Sequence, residues 1–219
     1  MAEFNRFESV SGTYVEEILG QSRIGFSISD TIDFYDMVEM SKKGVYKGST
    51  ISFYDYYNGK IYTPFQKQKN VLYGKPVYLK ECFWFLEGDY NKEKITLFKY
   101  SPNQEPENVT QLNMSDVDPY NLSIIGEKIH IVSESDNFTC YYPEKFKFSM
   151  DSHESVLMIS DGKVYISAWV EEGWDDENNC QTEEYQYYEK VIVRDFTGKM
   201  LSEEIGCLNR RADGTWWIS

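Results

Sequence analysis

The sequence is short of the residues that build metal centres and common catalytic sites. It contains only two histidines, His130 and His153, and its four cysteines are widely separated. A closed zinc site takes four nitrogen or sulfur ligands, usually supplied in close pairs, so we expect no metal site. A phosphate-binding P-loop, a dinucleotide-binding glycine motif and a Gly-x-Ser-x-Gly nucleophile motif are also missing. We therefore expect no cofactor, and the sequence favours a protein that is not an enzyme without deciding the question.

Basic residues are scarce as well. The chain has 22 Lys and Arg against 36 Asp and Glu, a formal net charge of −14 and a pI near 4.6. A surface of this charge repels phosphate backbones and anionic lipids, so we expect neither nucleic acid nor a membrane as partner. The segment from Lys42 to Lys99 departs from this balance, with eleven Lys against five Asp or Glu. It could dock on the acidic remainder of the chain or on a second copy, or its lysines could protect strand edges from pairing with other chains.

Long apolar runs are absent too. None approaches the roughly 18 residues of a transmembrane helix, and the first residues lack the basic and then apolar pattern of a signal peptide. The dispersed cysteines do not predict a disulfide framework. Cys82 and Cys140 lie among aromatic residues, where a free thiol behaves as a small buried hydrophobe. We therefore expect a cytoplasmic protein.

Aromatic residues are abundant. Phe, Trp and Tyr make up 16% of the chain, and these residue types favour strands. The clearest organising pattern is a turn followed by a strand, as in Asp161-Gly162 followed by residues 163–170. Looser copies begin at Asn58, Gly126 and Asp213. The repeated pattern predicts an all-β fold, built as an antiparallel meander of hairpins.

This turn-and-strand pattern resembles the blades of β-propellers in general. Four-stranded blades recur at ~40–50 residues, and the intervals between the best strands straddle that range. Those strands are centred on Phe83, Ile129, Val164 and Trp216. The signatures of the WD40 and kelch classes are missing, so no single family is named. The resemblance implies a small propeller of about four to five blades. We expect one domain over residues 1–219, with a lead-in at 1–44 and repeated units at 45–219.

The lead-in carries two helix signals. Thr13 and Glu16 match a capping box, and Gly20 stands where it would end one or two helical turns. Residues 30–43 fit two structures. Acidic residues at the start, lysines at the end and Gly44 just beyond favour a short helix. The alternation of apolar and polar residues at the start suits a strand equally well.

From Gly44 onward the pattern predicts mainly strands. These include one long apolar strand over residues 76–86 and a partner strand over residues 94–100. Residues 101–108 have the composition of a loop. Residues 171–189 contain eight acids and no Lys or Arg, and are predicted to form a long solvated loop between two strands.

The candidate binding residues lie in two places. Trp and Tyr are enriched at the centres of protein interfaces, and strong charge steers association. Trp84 and Trp169 lie inside apolar strands, so we expect them in the core. The acidic segment and the last strand supply the candidates Trp174, Asp175, Asp176, Tyr185, Trp216 and Trp217.

Three functions fit these residues. The leading prediction is a cytosolic interaction module that binds another, basic protein. The alternative is a carbohydrate-binding or glycoside-processing propeller, with aromatics and carboxylates lining a pocket. The third is a propeller completed by self-association, with Trp216 and Trp217 at the contact. Within one chain, residues 215–218 are predicted to pair into a sheet of N-terminal strands and so to close the ring.

Overall fold

The computed structural model describes residues 3–175 and 177–219. Strands account for about 50% of the chain and helices for 6%, and the all-β prediction is confirmed. The first of two compact units comprises residues 3–124 and Arg211–Thr215, and the second comprises Ile125–Arg210 and Trp216–Ser219. One domain over residues 1–219 stays a prediction, because compact units are defined by internal contacts and not by independent folding.

The first unit contains two antiparallel sheets and a short helix. Its elements are β1 (Glu16–Glu17), β2 (Ile24–Ile28), α1 (Phe34–Lys43), β3 (Ile51–Asp55), β4 (Ile61–Tyr62), β5 (Val71–Tyr73), β6 (Val77–Leu79), β7 (Cys82–Asp89), β8 (Lys94–Tyr100) and β9 (Glu107–Asn113), followed by a 3₁₀ turn at Met114–Asp116. One sheet has the order β1-β2-β3-β4. In the other, β5 and β6 both pair with β7, which continues to β8 and β9.

The second unit is built from antiparallel strands. They are β10 (Ser123–Ile125), β11 (His130–Glu134), β12 (Asn137–Tyr142), β13 (Phe146–Ser149), β14 (Glu154–Ser160), β15 (Lys163–Asp175), β16 (Cys180–Asp195), β17 (Met200–Ile205), β18 (Leu208–Arg210) and β19 (Trp216–Ile218). Strand β10 begins in the last residues of the first unit's main segment, which ends at Ile124 along the chain. The sheets have the orders β10-β11-β12-β13, β14-β15-β16-β17 and β18-β19. Consecutive strands are therefore neighbours, as a meander of hairpins requires.

Each unit has its own apolar core. In the first, Phe53 is fully buried, and its ring centroid lies 5.2 Å from that of Phe83, 5.9 Å from Phe85 and 5.0 Å from Tyr100. Phe83 and Phe85 share one face of β7 because side chains alternate along a strand.

The core of the second unit follows the same rule. Val164, Ile166 and Ala168 alternate along β15 and are all buried. They belong to one cluster with Phe138 and Ile192. This burial fixes which face of β15 and β16 turns inward, and it therefore decides which side chains remain outside.

The open alternative for residues 30–43 resolves to a helix. Asp33 caps α1 by accepting a hydrogen bond from the Asp36 backbone N–H at 2.8 Å, and Gly44 ends the helix with φ +64°. Phe34 is buried against the sheet, where a Cβ added at Gly88 would lie 3.0 Å from the Phe34 ring. Local capping and this apolar contact outweigh the strand-like alternation.

The predicted helical turn at residues 13–20 was wrong, because β1 occupies part of this stretch. A capping box needs the Glu16 carboxylate to turn back to the backbone at Thr13. The carboxylate instead lies 2.7 Å from Lys75 Nζ. Gln21 fixes the chain beyond β1, since its side chain donates to the Ile24 carbonyl and accepts from the Ile24 N–H, each at 2.7 Å.

Two strand predictions in the first unit need correction. Residues 76–86 form a hairpin of β6 and β7, not one strand, because Lys80 and Glu81 adopt positive φ values of 50° and 61°. These are the dihedrals of a two-residue hairpin turn, normally signalled by Gly or Asn. The predicted loop at 101–108 ends early because β9 begins at Glu107. β9 pairs only with β8 among the described strands, and its polar sequence suits an edge strand.

The last strand also differs from expectation. β19 pairs with β18, with Asn209 opposite Trp217 and Arg210 opposite Trp216. The prediction that residues 215–218 join a sheet of N-terminal strands was therefore wrong. The partner is the nearest preceding strand, reached through a short turn in which the Arg211 N–H donates to the Thr215 carbonyl at 2.8 Å.

Candidate functional site

The candidate site is a two-stranded arm formed by the ends of β15 and β16 that meet at their connecting turn. The neighbouring strand β14 ends its pairing with Glu154 opposite Ala168, and β17 ends with Ile205 opposite Lys190. β15 and β16 continue beyond this point, paired with each other from Trp169 opposite Glu189 to Asp175 opposite Cys180. We call residues 169–175 and 180–189 the arm. The predicted solvated loop at 171–189 was therefore wrong, because most of this segment is paired strand.

The arm forms strands in spite of its charge. Trp, Val, Tyr and Thr are frequent in it, and these types fit a pleated surface. Its ladder has one irregularity at Gly173, which has φ +72° and whose carbonyl accepts a hydrogen bond from Thr182 Oγ1 at 2.8 Å. A Cβ at this position would lie 2.7 Å from the Glu184 backbone. Glycine is therefore required at this irregularity, because any side chain would meet the Glu184 backbone.

One face of the arm carries a checkerboard of two aromatic rings and two carboxylates. Trp169 lies opposite Glu189, and Glu171 lies opposite Tyr187. Residues two apart share a face of a strand, so all four side chains project on the same side. We call this four-residue set the checkerboard. Trp169 is 46% exposed and Tyr187 is 58% exposed, so much of each ring is open to a partner.

The two rings of the checkerboard lie nearly parallel. Their centroids are 6.5 Å apart and their planes are inclined by 21°. Further along the arm, Trp174 and Tyr185 make an edge contact with centroids 6.1 Å apart. The structure thus brings the predicted residues Trp174 and Tyr185 together, and it adds a second aromatic pair at the base of the arm.

Hydrogen bonds fix the carboxylates beside these rings. Tyr185 Oη donates to Glu171 Oε1 at 2.7 Å, and Ser167 Oγ donates to Glu189 Oε2 at 3.1 Å. On the opposite face, Tyr188 Oη donates to Glu172 Oε1 at 3.0 Å. The pKa of Tyr185 is raised chiefly by its hydrogen bond to Glu171, and a bond to Glu172 does the same for the pKa of Tyr188. Both phenols therefore remain neutral hydrogen-bond donors.

At the turn of the arm, Asp175 has a structural role. Its Oδ1 accepts hydrogen bonds from the backbone N–H groups of Glu177 and Asn178, and its Oδ2 accepts from Asn178 Nδ2. The hydrogen bond from the Asn178 side chain is the main cause of the lowered pKa of Asp175. The predicted binding residue Asp176 lies outside the described residues.

The electrostatic character of the arm is uniformly acidic. The segment from Glu171 to Glu189, which also includes the connecting residues 176–179, contains eight acids and no Lys or Arg. The next basic residue along β16 is Lys190, whose Nζ lies 3.7 Å from Glu203 Oε2 and 6.0 Å from the Tyr188 ring centroid. A cation of the chain itself therefore already lies near an aromatic ring at the base of the arm.

Trp216 and Trp217 lie on the separate two-stranded sheet β18-β19. Trp216 is partly buried beneath Arg210, whose guanidinium carbon is 5.9 Å from the ring centroid. Trp217 is 59% exposed. More than half of Trp217 is thus exposed, and Trp216 makes a cation–π contact within its hairpin.

Sequence reasoning missed four residues of the arm's exposed face. Trp169 was assigned to the core because it follows an apolar run, yet it alternates with the buried Ile166 and Ala168 and therefore projects from the exposed face of β15. Glu171 was placed in the acidic loop, and Tyr187 and Glu189 lay where that loop overlapped a strand predicted over residues 187–195. The two-residue spacing of Trp169 with Glu171 and of Tyr187 with Glu189 was the available signal, because it is a strand periodicity.

The two histidines behave differently. His130 is buried, with Nδ1 2.8 Å from the Lys128 carbonyl and Nε2 3.2 Å from Glu144 Oε2. Both ring nitrogens are therefore engaged within the second unit. His153 makes an edge contact with Trp169, with ring centroids 5.8 Å apart. Among residues 3–175 and 177–219, no group of three or more His, Cys, Asp or Glu side chains is arranged to hold a metal ion.

Comparison with protein family models, curated proteins and solved structures finds no match. Over the described residues, the chain has no helix with the length and apolar character needed to cross a membrane.

Proposed function

We propose that this protein is a cytosolic binding module whose arm docks a basic partner protein. The observation that carries the proposal is the checkerboard, in which exposed rings and fixed carboxylates alternate on one face. Exposed aromatic rings supply contact area at little entropic cost, and the acids favour a positively charged partner and speed its encounter. The open, extended shape of this surface supports binding rather than catalysis.

The acidic charge also disfavours pairing between the arms of two copies of the chain. Exposed strand edges tend to pair with other edges, and two arms of the same sign would repel each other. A partner of opposite charge meets no such barrier. The arm therefore selects partners by the sign of their charge, since it disfavours pairing with a second acidic arm and favours a basic surface.

Two finer features belong to this proposal. A reducing compartment such as the cytosol is supported by the four cysteines, all of which are free. Burial raises the pKa of the Cys140 thiol to about 12, so this cysteine serves as a small apolar residue. A propeller-like arrangement of about four to five blades is supported by the four-stranded meanders β1-β2-β3-β4, β10-β11-β12-β13 and β14-β15-β16-β17.

The experiment is capture of partners from cytosolic extract with the full chain as bait, at low and at high salt. The decisive variant replaces four arm glutamates by glutamine: Glu171, Glu172, Glu183 and Glu184. Its matched control replaces four exposed glutamates elsewhere: Glu3, Glu81, Glu105 and Glu204. We expect the arm variant, but not the control, to capture about tenfold less of a basic protein than the wild type does. High salt is expected to reduce the amount that the wild type captures. Equal capture by both variants would show that the arm does not bind the partner.

The carbohydrate alternative has one observation in its favour. A groove of about 280 Å³ in the first unit is lined by aromatic, amide and charged side chains. They include Tyr62, Tyr78, Gln21, Asp55 and Glu81. Titration with a panel of free sugars, followed by NMR, tests this function. Saturable shifts of resonances at this groove would support the carbohydrate function. If all shifted resonances lie outside both the groove and the arm, neither surface is a sugar site.

A further inference from the structure

We propose that the arm recognises its basic partner through arginine in preference to lysine. This inference rests on the proposed function and specifies the partner as an arginine-bearing segment. The guanidinium group stacks on the exposed ring of Trp169 or Tyr187 while its N–H groups donate to the neighbouring carboxylates of Glu171 and Glu189.

The checkerboard supplies both requirements of a guanidinium at one place. Directly opposed residues of an antiparallel pair have Cβ atoms about 4.5–5.5 Å apart. Trp169 therefore has the carboxylate of Glu189 beside it, and Tyr187 has that of Glu171 beside it. A cation above either ring lies within reach of an acidic side chain on the same face.

The rings are held in place before any partner arrives. Trp169 contacts Tyr187 at 6.5 Å and His153 at 5.8 Å between ring centroids. Glu171 is restrained by Tyr185 Oη, and Glu189 by Ser167 Oγ. Pre-arranged groups lose less conformational entropy on binding, so the contact gains affinity.

Arginine matches this surface better than lysine does. Its guanidinium is planar, stacks on aromatic faces and presents a fixed fork of donors that fits a carboxylate with two parallel hydrogen bonds. It is also more weakly hydrated than an ammonium group, so it loses less on leaving water. The ammonium group of lysine is a compact charge that pairs with the carboxylates but interacts less favourably with the exposed rings.

The test uses two labelled peptides of equal length and charge, one alternating Arg with Gly and the other alternating Lys with Gly. Each is titrated against the full chain by fluorescence anisotropy. We expect the arginine peptide to bind about fivefold more tightly. Trp169→Leu and Tyr187→Leu are expected to reduce this preference, and Trp169→Phe, which keeps a ring, is expected to retain much of it. Trp217→Leu is the control, because it removes an exposed ring from β19 and leaves the arm unchanged.

The outcomes separate this inference from the proposed function. If both peptides bind with equal affinity and the Leu variants weaken them alike, arginine selectivity is refuted while docking of basic segments stands. If neither peptide binds, the proposed function itself fails. If Trp217→Leu abolishes the preference as fully as Trp169→Leu, the selective surface lies on β19 and the checkerboard is excluded. Thermal melting of each variant shows whether its fold is retained.

Discussion

Arg194 Nη2 lies 2.5 Å from Glu154 Oε1, and the two side chains are only 12% and 2% exposed. The pair joins β16 to the start of β14, next to the base of the arm. Removing one partner of a buried ion pair leaves an uncompensated charge, which costs about 3–5 kcal/mol. We therefore predict that Glu154→Gln lowers the free energy of unfolding by about that amount, measured by urea denaturation.

The matched control for this pair is Glu203→Gln. Glu203 and Lys190 form a more exposed pair at 3.7 Å, and such pairs contribute about 1 kcal/mol or less. Equal losses for Glu154→Gln and Glu203→Gln would contradict a structural role for the buried pair.

Gly48 and Gly162 provide a paired test of backbone packing in the first and second units. Both have positive φ, +91° and +73°, which costs an L-residue about 1–2 kcal/mol. A Cβ at Gly48 would lie only 1.8 Å from the Gln68 carbonyl oxygen, whereas nothing lies within 4 Å at Gly162. We predict a much larger fall in the melting temperature for Gly48→Ala than for Gly162→Ala. Similar shifts would show that the chain can separate residues 48 and 68 at little cost.

Asp55 gives the first unit a stability that depends on pH. Its carboxylate accepts from Arg23 Nη2 at 2.7 Å and from the Tyr57 N–H at 2.9 Å. The hydrogen bond from Arg23 is the largest cause of the lowered pKa of Asp55. A folded-state pKa below the unfolded value, ~3.9, means that the stabilisation is present above that pH and is lost as pH falls through the folded-state pKa.

Asp55→Asn is therefore expected to lower the free energy of unfolding by about 1–2 kcal/mol at neutral pH, a modest value because Arg23 is largely exposed. The deficit relative to wild type should shrink below about pH 4. Denaturation at a series of pH values measures it, with Glu39→Gln in an exposed helical pair as the control. A deficit that stays constant down to acid pH would contradict the ion-pair explanation.

Gly173 tests whether the arm is ordered independently of the sheet beneath it. Gly173→Ala places a methyl group 2.7 Å from the Glu184 backbone, so the two strands of the arm must separate there. We predict faster amide hydrogen exchange in the arm and unchanged protection at Val164 and Ile166 in the core. Loss of protection at those core residues as well would show that arm and sheet unfold together.

The fold class followed from composition and turn patterns because those signals are local. Asn58-Gly59 and Asp161-Gly162 predict hairpins because their residue types tolerate positive φ. The hairpin at Lys80 and Glu81 gave no such signal, because neither residue type is typical of that turn. β9 was hidden for a different reason, since a polar edge strand lacks the apolar alternation that identifies strands.

Three of the residues proposed from the acidic segment, Trp174, Asp175 and Tyr185, lie on the arm, and their role in binding stays a prediction. What the sequence could not indicate was where β14 and β17 stop pairing, because that point depends on contacts between strands. Trp169 is a surface residue because it projects from the face of β15 opposite to the buried Ala168. An apolar run alone does not show whether its last member is covered.

One titration decides whether the arm itself binds a basic segment. The arginine–glycine peptide is titrated against the wild type, the four-glutamine arm variant and the four-glutamine control at low salt. We predict an affinity about tenfold weaker for the arm variant and near wild-type affinity for the control. Equal affinities for the arm variant and the control would contradict the claim, because binding would then depend on net charge and not on the arm.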